Sequence, residues 1–111
     1  MQISEIIQAL GLKAFTESAG LSRNATGGYT CDLLSDVMGH SQSGQIWITL
    51  QTHKNVMAVA SLRDLAGVIL VNGLMPNADM LAQAIEEGIP VLGTDENAFD
   101  ISGKLFILLG K

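Results

Sequence analysis

Basic side chains are scarce in this sequence: six Lys and Arg stand against eleven Asp and Glu, for a formal charge of −5 and a pI near 4.7. Tight nucleic-acid binding needs clustered Lys and Arg to neutralise phosphates and release counterions. The six here are scattered, so nucleic acid is excluded as a partner. Cys31 is the only cysteine, which rules out an intramolecular disulfide and a Cys-rich zinc site and makes a reducing cytoplasm the expected compartment. No apolar run approaches the roughly 20 residues needed to span a bilayer; the longest, Leu65 to Val71, has the length of a buried strand. Met1-Gln2-Ile3-Ser4-Glu5 lacks the basic and apolar regions of an export signal, so neither export nor a membrane partner is expected. Charge of either sign is also sparse, 15% of residues against 48% hydrophobic. That balance is too apolar for disorder and poor in charge for a monomer's surface, so a covering partner is expected, in the first place a second copy of the chain.

What is present fits one domain over residues 1–111, large enough for a single core without metal or disulfide support. Ile3, Ile6, Ile7 and Leu10 at helical spacing, with Ser4 near the start and Gly11 as a stop, predict a short amphipathic helix. Lys13 to Ser18 reads as a strand, and the Gly, Ser, Asn and Thr of Gly20 to Gly28 as a mobile loop. Tyr29-Thr30-Cys31 is a brief strand leading into a helix over Asp32 to Met38, with Gly39 behind it. Gln45 to Leu50 alternates polar and apolar residues and predicts a half-buried strand. A helix from His53 to Leu65, with Val56, Met57, Ala60 and Leu62 inward, is followed by a fully buried strand over Ala66 to Val71 and an Asn72-Gly73 turn. Pro76 and Asn77 introduce a helix over Ala78 to Glu87 with Met80, Leu81, Ala84 and Ile85 on one face, and Ile89 to Leu92 is the next strand. Thr94 or Asp95 caps a last helix carrying Ala98, Ile101, Leu105, Phe106 and Leu109. The alternation of strand and helix after residue 45 predicts an α/β fold, a mainly parallel sheet of βαβ units flanked by helices.

Catalytic signatures are missing. Gly103-Lys104 is followed by Leu105 inside a helix and is no P-loop, and no segment has the three spaced glycines of a dinucleotide fingerprint. His40 and His53, with Cys31, Asp32 and Asp36, match no metal spacing. No recognised elbow surrounds Cys31 or Ser35. The chain therefore reads as a non-catalytic module that names no cofactor. Trp47, in the alternating strand, is assigned to the core or to a dimer interface. Thr49, Gln51, Thr52, His53 and Asn55 form a dense polar cluster at the carboxyl end of that strand. Ligands of open parallel sheets bind beyond the carboxyl ends of strands, so this cluster, with Asn72, Gly73 and Thr94 at two other strand ends, is the expected ligand pocket. Ordinary loop capping is the alternative for the same residues.

Gln51-Thr52-His53-Lys54-Asn55-Val56, Ile69 to Pro76 and Glu87 to Thr94 resemble the DRTGG domain, and Gly28 to Met38 is similar to the opening of its stand-alone members. The Asp-Arg pair of that family is replaced by Thr52-His53-Lys54, and its Thr-Gly-Gly by Val71-Asn72-Gly73. Related domains accompany CBS domains in regulated pyrophosphatases, occur in phosphotransacetylases and resemble the N-terminal domain of HPr kinase/phosphorylase. The resemblance implies a regulatory, dimerising α/β module that binds a small metabolite or partners an enzyme subunit. The alternative is a protein-interaction subunit of a redox or metabolic enzyme complex without a small ligand.

Overall fold

The hydrophobic pattern resolves into alternating strands and helices in a computed structural model that describes every residue, Met1–Lys111. The order is α1 (Ile3–Leu10), β1 (Lys13–Ala14), β2 (Gly27–Thr30), α2 (Leu34–His40), β3 (Gln45–Thr49), α3 (Asn55–Leu62), β4 (Gly67–Leu70), α4 (Ala78–Glu87), β5 (Val91–Gly93) and α5 (Ala98–Leu108). The five strands form one sheet in the order β1-β5-β4-β3-β2, parallel throughout except for β1. The expected α/β fold is therefore present.

Side chains alternate across the pleat, and both sides are covered. Trp47, Val68, Leu70 and Val91 pack with Val37 of α2, Val56, Met57 and Ala60 of α3, and Met80 and Ala84 of α4. Ile46, Ile48, Ile69 and Leu92 pack on the other side with Ile3 and Ile6 of α1 and Ile101 and Leu105 of α5. Each fully buried Ile or Leu contributes about 1.5–3 kcal/mol relative to exposure. Because α5 crosses to the second face, β3 is buried from Ile46 to Thr49 rather than on one side only, as its alternation had predicted. Trp47 has no exposed surface, and its indole N–H donates to the Cys31 carbonyl at 2.7 Å. Of the two roles expected of Trp47, core or dimer interface, the structure has the core one, within a single chain. Leu62, Ile85 and Phe106, expected inward, are exposed.

The N-terminal third departs most from expectation. Helix α1 begins at Gln2, not Ser4, through a reciprocal capping box with Glu5, and closes at Gly11 in the left-handed conformation. Strand β1 lasts two residues because the chain turns away immediately: Phe15 N–H donates to Val91 O, Val91 N–H donates to the buried Thr16 hydroxyl, and Glu17 adopts φ 54°. The segment expected to be a mobile loop is tied down. Its carbonyls at Leu21 and Arg23 accept from the first N–H groups of α1, Ala25 N–H donates to Met1 O, and Arg23 donates to Gly88 O at 2.8 Å and Leu65 O at 3.3 Å. Gly27 and Gly28, taken for loop, open β2.

Candidate functional site

The carboxyl ends of β2 to β5 lie side by side, so the sheet brings the expected site residues to one edge, where they form three separate hydrogen-bonded knots. In the first, Asp32, just beyond β2, accepts from the Thr49 hydroxyl at 2.9 Å and from Leu50 N–H at 2.8 Å, while the Gln51 amide donates to Asp32 O at 3.0 Å. Thr49 and Gln51 thus lock the β2–α2 loop to the end of β3. In the second, Thr52 O accepts from Asn77 N–H, and the Asn77 amide meets the His53 ring at 3.0 Å. Asn55 opens α3, exposed. In the third, Asn72 N–H donates to Glu96 O, Gly73 N–H to Thr94 O, and Glu96 N–H to the Thr94 hydroxyl. Asn72 and Gly73 are both left-handed, at φ 58° and 71°, a turn that Asn and Gly tolerate best.

Beyond the third knot, which ties the loops after β4 and β5 together, the chain parts company. The loop after β4 leads to α4 on one face of the sheet, whereas the loop after β5 leads to α5 on the other. A divergence of this kind opens a crevice at strand ends. A cleft of about 360 Å³ lies there, lined by Gly73, Leu74 and Met75 after β4, by Gly93, Thr94, Asp95 and Glu96, and by Leu10, Gly11, Lys13 and Phe15 from the antiparallel edge. Of the residues expected to form a pocket, only Gly73 and Thr94 line it. Lys13, Phe15, Asp95 and Glu96 were missed; the first two reach the cleft only because β1 pairs with β5, a contact with no local signature. Glycine at 93 is what admits Phe15, since a Cβ there would stand 2.5 Å from Phe15 Cε2. Glu96 is held by Lys104 at 2.6 Å, and Lys13 Nζ sits 5.2 Å from the Phe15 ring centroid. A second depression of about 300 Å³ lies between β2 and α5. Two hydroxyls on its wall, Thr30 and Ser102, already bond each other at 2.7 Å.

A further polar group surrounds Asp36. Its carboxylate accepts from the Tyr29 hydroxyl at 2.5 Å and the Cys31 thiol at 3.4 Å and meets His40 Nδ1 at 3.2 Å. The Tyr29 hydrogen bond, then that of Cys31, holds the Asp36 carboxyl below its ordinary value. The same hydrogen bond to Asp36, with some desolvation, pushes the Tyr29 phenol up to about 12. His53 stands apart, bonded to Asn77, and no three His, Cys, Asp or Glu side chains gather as metal ligands.

Compared with solved structures, the chain matches the CBS and DRTGG domains of the regulatory region of Clostridium perfringens pyrophosphatase, solved with its activator diadenosine tetraphosphate, at a TM-score of 0.69 over 97% of this chain. The fold is that of about half of this regulatory region. Identity is only 15%, and the match spans 46% of that chain's length. No family model matches, and no curated relative does. The DRTGG resemblance read from the sequence and the structural likeness point to the same regulatory region. No helix is long and apolar enough to cross a membrane.

Proposed function

We propose that the chain is a non-catalytic regulatory module, cytoplasmic and homodimeric, that binds a small ligand in the cleft at the carboxyl ends of β4 and β5. The observation that carries this reading is the divergence of the chain to α4 and α5 on opposite faces of the sheet beyond the bonded Asn72-Gly73 and Thr94–Glu96 loops, with polar and aromatic groups brought to the cleft from three segments. The likeness to a regulatory region crystallised with a nucleotide activator supports it. The cleft has its own chemistry, however. Lys13 is its only cation, against Asp95 and a Glu96 already paired with Lys104. A tetraphosphate calls for several Arg or Lys side chains, so the fitting ligand carries little negative charge, accepts from Lys13 and donates to Asp95.

A thermal-shift screen of nucleosides, nucleotides, dinucleoside polyphosphates, acyl phosphates and divalent metals tests the reading. A ligand at about 100 times its Kd stabilises the fold by about 2.7 kcal/mol. The expected result is a shift from one weakly anionic class, lost in Asp95→Ala or Lys13→Ala and retained in Asn55→Ala. A flat screen at millimolar concentration overturns the ligand site. It would favour the second reading, an interaction subunit of a redox or metabolic enzyme complex, to which the self-satisfied hydrogen bonding of the three knots already lends weight.

A further inference from the structure

Helix α5 is apolar on two opposite sides. Ile101 and Leu105 face the sheet and are buried, whereas Phe99, Phe106 and Ile107 are 86%, 56% and 77% exposed. At 100° per residue, Phe99, Gly103, Phe106 and Ile107 fall on one outward stripe directly opposite the packed one. A Cβ at Gly103 meets nothing within 4 Å, so the middle of the stripe is open, with an aromatic ring toward each end. A helix apolar all round is normally covered all round, and nothing within the chain covers this side.

We infer that the outer face of α5 is the homodimer interface, and that the two copies of α5 cross antiparallel near Gly103. This rests on the homodimer reading above and assigns it a surface. A two-fold contact must be self-complementary. An antiparallel pair centred beside Gly103 sets Phe99 of each copy against Phe106 of the partner subunit, with the glycines allowing close approach. The charges complement each other in the same register. Asp100 and Lys104, the latter also bridged to Glu96 of its own chain at 2.6 Å, lie together on one flank of the stripe, and in an antiparallel pair like flanks adjoin with reversed direction. Each Asp100 then comes level with Lys104 of the partner subunit, whereas a parallel pair would set both against the Ser102 flank. The three large side chains expose roughly 400 Å² per copy, given the size of a Phe or Ile, about half of the roughly 800 Å² per partner in a standard interface. Gly103 and the stems of Asp100 and Lys104 extend the contact around them.

The test is mass measurement by light scattering across a concentration series, with circular dichroism as the control for folding. The wild-type chain should approach twice its 11.7 kDa. Phe106→Asp should raise the dimer dissociation constant about 100-fold, as loss of a central aromatic anchor does, with the spectrum unchanged. Asp100→Lys and Lys104→Asp should each weaken self-association, because like charges then face each other across the axis, and an equimolar mixture of the two should recover the dimer. A dimer insensitive to Phe106→Asp, or a mixture that fails to recover, overturns the surface while leaving the homodimer standing. A monomer at every concentration overturns both, yet leaves the ligand cleft to be judged by its own screen.

Discussion

Trp47→Phe separates a core tryptophan from an interface one. The indole is fully buried and its N–H donates to Cys31 O at 2.7 Å. Phenylalanine removes that donor and leaves the carbonyl of a half-buried residue without its partner, a loss of about 1–3 kcal/mol. It also leaves a void of roughly 40 Å³, worth about 1 kcal/mol at about 24 cal/mol per Å³. The sum is a loss of about 2–4 kcal/mol, which for a domain of this size lowers Tm by roughly 10 °C. Urea unfolding followed by circular dichroism measures it. The effect should be independent of protein concentration beyond that of the wild type, because the side chain lies inside one chain. A loss below about 0.5 kcal/mol, typical of an exposed site, or one that appears only as weakened self-association, would refute the reasoning.

Tyr29 is the only tyrosine, so phenolate absorbance in the folded protein reports it alone. Its midpoint should stand near 12 and fall toward the ordinary 10.0 in Asp36→Asn. The sign of the linkage follows from the same bond: the lowered Asp36 stabilises the fold above its unfolded value of 3.8 and loses that effect as pH falls further, while the raised Tyr29 stabilises it below 10.0 and loses that effect as pH rises through about 12. Arg23→Ala removes the donors to Gly88 O and Leu65 O and should cost about 2 kcal/mol, with amide exchange accelerating first in residues 19–26. Unchanged exchange there would show that the backbone bonds to α1 suffice without the side chain.

Elements with strong terminal punctuation were legible in the sequence. Helix α4 runs over Ala78–Glu87 as Pro76-Asn77 and Gly88 foretell, and the left-handed Gly11 ends α1 where expected. Strand β2 was not legible in full, because Gly27 and Gly28 have poor strand propensity and enter the sheet through pairing with Gln45 and Ile46. The loop before it looked mobile because its composition is that of a loop; composition carries no record of the distant carbonyls that Arg23 reaches. The same limit applies to the site. Gly73 and Thr94 follow from the rule for strand ends, but the role of Asp32 requires β2 to lie beside β3, and Lys13 and Phe15 require β1 to run antiparallel beside β5. Phe106 is exposed although it lies one residue from the buried Leu105, because helical spacing registers a residue's own element, while the packing of α5 on the far face of the sheet decides which sides are covered.

The unequal margins of the sheet bear on aggregation. An open strand edge is a template onto which further chains can add. At one margin β1 presents only two residues and runs against its neighbour, too short a template to propagate. The other margin, β2, offers four residues beginning with two glycines, a poor match to the β-branched, glycine-poor segments that assemble into fibrils. Substituting β-branched residues into Gly27 or Gly28 would make that margin a closer match to such segments.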